Sequence, residues 1–246
     1  MLQRWLGVFD VDARQKWKAV WPRLSTLPLD RFRLLDAGCG SGGWSLELAS
    51  RRPGWTIVGV DRDGPAVATA EARRRALGLT NVSFLEADFL EFRPAERFDA
   101  LLSVASAHYL VQANKGRALF GAFASWLEPG GVLVLFGPRR REEMPVTRIL
   151  PAVHGREIFG YGDLDSLCRE SGLVPEVIAP AVGRVGTLAK QVGRIGQDSR
   201  WLGRFTYPVQ RLLDAFEQGT PVPGDRRSSA WLVVARKPAT PGAPGN

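Results

Sequence analysis

Residues 36 to 43 read DAGCGSGG, and their glycines satisfy two ligand-binding patterns at once. Gly38, Gly40 and Gly42 form G-x-G-x-G, while Gly38, Gly40 and Gly43 form the G-x-G-x-x-G of dinucleotide sites. Both rest on the same physics: glycine admits positive φ and lets backbone amides come close to a ligand. The pattern alone leaves the ligand open, because any tight strand-to-helix turn uses glycine in this way. Carboxylates accompany it. Asp61 fits a ribose diol, with two oxygens accepting from two hydroxyls, a role common to both ligand classes. Asp88 with Phe89 fits adenine, the carboxylate accepting from the exocyclic amine and the ring lying against the base. Asp36, two residues before Gly38, is an ionised group where a nicotinamide-binding strand usually stays apolar, and a partly desolvated carboxylate needs a cationic or hydrogen-bonding partner. The set calls for adenine, ribose and a cationic, zwitterionic tail.

The elements that must position these residues alternate along the chain. Phe32 to Leu35 is a short apolar run ahead of the glycines, and Trp44 to Ser50 has helical spacing after them. WTIVGVD (Trp55 to Asp61) reads as a strand ending on an acid, followed by a helix from Pro65 to Leu77 near Gly78. Asn81 to Asp88 and Arg97 to Ser106 read as two further strands. Lys115 to Leu127 reads as a helix, stopped by a turn at Glu128-Pro129-Gly130-Gly131 that launches the strand Val132 to Phe136. Tyr161 to Ser171 is a helix leading into LVPEVIAP, and AWLVVARK is the last strand. Strands alternating with helices at this interval imply an α/β fold: a mostly parallel sheet covered on both faces, with the ligand at the carboxyl ends of the strands.

Bulk properties bound this reading. The chain has 246 residues, 45% of them hydrophobic, enough for one domain with an appendage. Its two cysteines, Cys39 and Cys168, lack the spacing of a zinc site or a disulfide framework, so a reduced, cytoplasmic protein without metal is expected. The N-terminal stretch is broken by charge every few residues and reads as neither signal peptide nor membrane span. A formal charge of +8, carried mostly by arginine, suits RNA, an anionic membrane surface or an acidic substrate, and equally an ordinary solvated surface.

LLDAGCGSGGWSLELA, VGVDRD, VSFLEADFLEF, FDALLSVASAHYL and FASWLEPGGVLVLFGP, in this order, resemble the successive motifs of class I S-adenosylmethionine-dependent methyltransferases. The likeness is close from Arg33 to Pro138 and looser from Tyr161 to Pro180. The resemblance implies a Rossmann-like three-layer sandwich with a seven-stranded sheet, in which the strand Ala230 to Pro238 runs antiparallel between its neighbours. It implies S-adenosylmethionine as methyl donor, with Gly38, Gly40 and Gly42 against the methionine part and Asp36 near its amino group. Asp61 would then hold the ribose, Asp88 and Phe89 the adenine, and Ser103 would border the transfer cleft. Cys39 and Arg62 lie in the same donor-site motifs, Cys39 as a small packing residue.

Transfer from a sulfonium needs in-line approach by the acceptor, so positioning and desolvation suffice unless the acceptor carries a proton. His108 and Tyr109, just after the fourth strand, are the candidates for substrate positioning or general base, with positioning favoured; His154 reads as a surface residue. The sequence from Ser103 to Ser106 lacks the N/D-P-P-Y/F motif of enzymes that methylate base amines, and no cysteine stands where a pyrimidine carbon-5 enzyme needs its nucleophile. The expected division is an N-terminal helical cap at 1–30, a donor-binding core at 31–182, a helical insertion at 183–229, a last core strand at 230–238 and a frayed tail at 239–246. In the insertion, Val185, Leu188, Ala189, Val192 and Ile195 fall at helical spacing among Arg184, Lys190 and Arg194, ahead of the aromatic-basic RWLGRFTY. It reads as a cap or lid over the acceptor, ahead of a basic surface meeting a membrane. The expected acceptor is a small molecule or lipid-like compound under the N-terminal helix (Trp5 to Leu24) and the insertion. The rivals are an RNA methyltransferase and a protein that binds the donor without catalysis, as sensor or scaffold.

Overall fold

Seven strands form one sheet in the order β3-β2-β1-β4-β5-β7-β6. In this computed structural model the described residues are 11–111, 115–138, 160–182 and 230–239, with 208 and 212. The expected insertion at 183–229, apart from those two residues, lies outside them, as do residues 1–10, including Trp5, and His154.

The elements run α1 (Val11–Leu24), β1 (Phe32–Ala37), α2 (Gly43–Arg51), β2 (Trp55–Asp61), α3 (Gly64–Ala76), β3 (Val82–Glu86), β4 (Phe98–Val104), α4 (His108–Val111), α5 (Gly116–Trp126), β5 (Leu127–Pro138), α6 (Tyr161–Glu170), β6 (Val174–Pro180) and β7 (Ala230–Arg236). Strands β1 to β5 pair in parallel, whereas β7 is antiparallel to both β5 and β6. The antiparallel strand between its neighbours is therefore where the sequence motifs implied it.

Alternation along the central strands feeds two cores. Leu34, Ile57, Leu102, Val132, Val134 and Leu232 face one layer with α1 and α2, and Leu35, Val60, Leu101, Leu133 and Leu135 face the other with α5 and α6. Strands buried on both faces are near-continuous apolar runs, which is why they were readable. Two boundaries shift. Asp36 belongs to β1, because it stays in register with Gly59 and Leu102. The expected turn at residues 128–131 is drawn into the sheet: Leu127 pairs with Phe98 and Val132 with Ala100, and Gly130 and Gly131 exchange backbone hydrogen bonds with Lys237. The Lys237 ammonium also donates to the carbonyls of Ala124 and Leu127 at 2.8 and 2.7 Å, meeting the negative end of α5.

Helix α1 is fastened by aromatic stacking. Trp17 lies between Trp21 of its own helix, centroids 5.0 Å apart, and Trp44 of α2 at 4.8 Å. The Arg51 guanidinium sits over Trp17 and Trp21, and that of Arg52 over Trp21 and Trp55. Trp44 is the second residue of α2, so this stack ties the N-terminal helix to the start of the glycine-loop helix.

Candidate active site

The strand order reverses direction between β1 and β4, and ligands of open α/β sheets sit beyond the carboxyl ends of the strands at such a point. The β1–β4 pairing ends at Asp36 and Leu102, while β4 continues beside β5 to Val104. The topology puts the expected ligand crevice there, with the glycine loop following β1 on one side.

Gly38, Gly40 and Gly42 all have positive φ, at 86°, 51° and 79°, which explains their identity. Space imposes a second requirement that differs among them. A Cβ on Gly38 would overlap Ser106, and one on Gly42 would lie 2.8 Å from both Ala70 and Phe84. A Cβ on Gly40 would meet only open space. Gly40 therefore presents bare backbone to the crevice, the surface against which a ligand can rest.

Asp36 is 1% exposed. Its Oδ2 accepts from the Ser45 hydroxyl at 2.6 Å, and the carboxylate also accepts from the Ser45 amide. Gly42, the residue at the N-cap, has no side chain to cap α2. The strand acid therefore supplies the helix cap that the glycine loop gave up. Burial, with a smaller contribution from Asp61, pushes the Asp36 carboxyl up from the ordinary 3.8 to about 6, against the lowering effect of Ser45.

Asp61 closes the loop from β2. One oxygen accepts from the Gly40 amide at 2.8 Å and the other from the Asp63 amide at 3.0 Å. Asp63 then caps α3 by accepting from Ala66 at 3.1 Å. Arg62, between them, is exposed. Arg73 of α3 reaches over to the carbonyl and hydroxyl of Ser41 at 3.0 and 2.9 Å, tethering the tip of the loop. Cys39 is buried, its thiol raised by desolvation and by the neighbouring carboxylates, so it is a packing group there and no nucleophile.

Asp88 turns the chain after β3 by accepting from the Leu90 amide at 2.8 Å. Phe89 is half-buried, edge-on to Phe123, and its Cζ would be 3.4 Å from a Cβ on Gly38. Phe89 thus borders the glycine loop while also packing on the α5 core. Ser103 is fully buried, and its hydroxyl lies 2.8 Å from that of Ser106. His108 is buried at the start of α4. Tyr109 belongs to the same short helix, with its side chain outside the described residues.

Sequence reasoning placed Asp36, the glycines, Asp61, Asp88 and Phe89 at strand ends, and the fold sets them at or just past the carboxyl ends of the adjacent strands β1, β2 and β3. It did not single out Ser45, just past the loop, nor Arg73 and Ser106, which act on the loop from distant parts of the chain. A serine at the third position of a helix that starts on glycine is the one local hint for Ser45.

Residues 34–131 match the family described as a methyltransferase domain. The trans-aconitate 2-methyltransferase of Variovorax paradoxus is 31% identical over 168 residues, which is 66% of this chain and 62% of that one. The release factor glutamine methyltransferase of Shewanella oneidensis is 40% identical over 78 residues, 31% of this chain and 27% of that protein. The chain thus spans less than two thirds of the length of these curated relatives. Among solved structures, the N-methyltransferase NodS of Bradyrhizobium japonicum WM9 with S-adenosylhomocysteine superposes with a TM-score of 0.60 at 18% identity, covering 96% of each chain. Residues 34–131 thus carry a methyltransferase-domain match, and the seven-stranded fold around them is the Rossmann-like fold shared with class I S-adenosylmethionine-dependent methyltransferases.

Proposed function

We propose that this protein is an S-adenosylmethionine-dependent methyltransferase acting on a small-molecule or lipid-like acceptor. The observation that carries the proposal is the loop itself: bare backbone at Gly40 facing open space, with the Asp61 carboxylate fastened to the Gly40 amide. The residues fit the donor. A Cβ-free surface at Gly40 suits the methionine part, and Asp61 at the end of β2 is the candidate to hold the ribose diol. The carboxylates of Asp36 and Asp61 give the crevice the negative character that suits an ammonium and a sulfonium. When bound, S-adenosylmethionine supplies an electrophilic methyl group. The chain's own part is to orient donor and acceptor and to exclude water, with Asp88 and Phe89 on the adenine side and His108 and Tyr109 on the acceptor side.

The small-molecule acceptor draws support from the trans-aconitate relative and from the absence of a base-methylation motif at residues 103–106. Both cysteines are free and buried, in keeping with a reducing, cytoplasmic setting. No helix among the described residues is long and apolar enough to cross a membrane. The formal charge of +8 favours one second reading, RNA methylation, which would show as salt-dependent retention on RNA.

Isothermal titration with S-adenosylmethionine and, separately, with NAD tests the proposal. Binding of the first alone is expected, weakened about 100-fold in Asp61→Ala, because the substitution removes a charged acceptor of several hydrogen bonds. Binding of NAD alone would overturn the reading. Transfer of a labelled methyl group to a panel of small acids, amines and lipids then finds the acceptor, and donor binding with no transfer to any substrate, RNA included, would favour a sensor or scaffold.

A further inference from the structure

The chain after β4 does something the sequence motifs do not require. Ala105 has φ 57°, the left-handed region that costs a non-glycine residue about 1 kcal/mol or more. Such a conformation persists where its surroundings impose it. Here the Ala105 amide donates to the Phe136 carbonyl at 2.7 Å, which holds it to β5. The next residue, Ser106, is thereby thrown back across the crevice toward β1. Its hydroxyl donates to the Ala37 carbonyl at 2.7 Å, and its side chain fills the space beside Gly38 that a Cβ there would need.

The hydrogen-bond directions are fixed. A carbonyl only accepts, so the single Ser106 proton goes to Ala37, and the 2.8 Å contact with Ser103 must run from Ser103 to Ser106. The result is a chain from Ser103 in β4, through Ser106, to the last residue of β1. It spans the place where β1 and β4 have ceased to pair, and it replaces a missing ladder bond with a side-chain bond. Two residues further on, His108 begins α4.

We propose that Ser106 is a positioning residue that locks the segment carrying His108 against the glycine loop, through the chain Ser103, Ser106 and Ala37. The inference rests on the methyltransferase reading above. Its functional content is that the donor loop and the acceptor segment hold one fixed separation because one hydroxyl bonds both strands. Removing that hydroxyl lets Ala105 relax and frees the Ser106 side chain that packs on Gly38.

The experiment compares Ser106→Ala and Ser103→Ala with the unaltered full chain, measuring S-adenosylmethionine and S-adenosylhomocysteine affinity by calorimetry well below the melting temperature, with melting followed in parallel. Ser106→Ala breaks both bonds, and about a tenfold loss of affinity for both ligands is expected. Ser103→Ala leaves the Ser106–Ala37 bond, and a loss of no more than about threefold is expected, with a comparable drop in melting temperature. Affinity unchanged in Ser106→Ala, or lost equally in both variants, would overturn the proposal while leaving the donor reading intact. Absence of binding by the unaltered protein would overturn both. Should Ser106→Ala fail to fold, Ser106→Cys retains the volume with a weak donor, and unaltered affinity in it would equally overturn the proposal.

Discussion

Two turns meet at the crevice, and they reach the left-handed region of backbone space by opposite means. The loop of residues 38–42 uses glycine at each of its three positive-φ positions, so its shape carries little strain. The segment of residues 104–106 uses alanine at 57° and is kept there by hydrogen bonds to the Phe136 and Ala37 carbonyls and from the Ser103 hydroxyl. The first turn is written in its own residues, and the second is imposed by its neighbours. A shape that requires a particular residue type shows up as a motif. A shape enforced through space does not, because the local residues, Val104, Ala105 and Ser106, look ordinary.

The comparison can be broken most forcefully at Gly38. A methyl there adds overlap with Ser106 to an unfavourable φ of 86°, so Gly38→Ala should cost about 4 kcal/mol and lower the melting temperature sharply. Gly40→Ala also has positive φ but meets open space, and should cost only about 1 kcal/mol while still abolishing donor binding. Equal melting temperatures for the two variants would mean that Ser106 does not pack on the loop as described.

A somewhat smaller effect concerns protons. The folded state favours neutral Asp36, whose carboxyl is raised from 3.8 to about 6, so folding takes up a proton between those values. The contribution of this group to stability therefore falls as pH rises from about 4 to about 6 and is flat above, a change on the order of 3 kcal/mol. Asp36→Asn, which keeps an acceptor for Ser45, should remove that slope from a series of denaturant titrations across the window. An unaltered slope would place the titrating group elsewhere. The register partner of Asp36 on β4 is the apolar Leu102, and Ser103 beyond it is neutral, so this charge belongs to the glycine side alone.

The mildest change is expected at Ala105. Glycine relieves the strained φ but loosens the unfolded chain, so Ala105→Gly should alter stability by less than about 1 kcal/mol and leave donor affinity within about twofold, because the Ser106 bonds survive. A large loss of affinity would show that the alanine side chain itself, and not the hydrogen bonds, fixes this segment.

Much of the fold was legible without coordinates. Trp55–Asp61 has the bounds its β-rich run marks, with Trp55, Ile57, Gly59 and Val60 buried in the sheet. The turn expected at residues 128–131 was misplaced because its glycines pair with Lys237, more than a hundred residues away in the chain. Asp36 was recognised as an unusual acid, but its bond to Ser45 came from packing, since nothing local says that a helix without its own cap will borrow one from a strand.

The residue types at strand ends were determined by the sequence itself: glycines where φ must be positive, and carboxylates where a polar ligand meets the sheet. Local conformational energy and hydrophobic alternation act over a few residues, so they leave a readable pattern. What only the tertiary structure decided is how those residues are held. The Trp17 stack on Trp44 and the Ser103, Ser106 and Ala37 chain join elements remote in sequence, and the cap on α2 joins a strand to the next helix only through the way the two pack. Such contacts depend on distance in space, and spacing along the chain does not encode it.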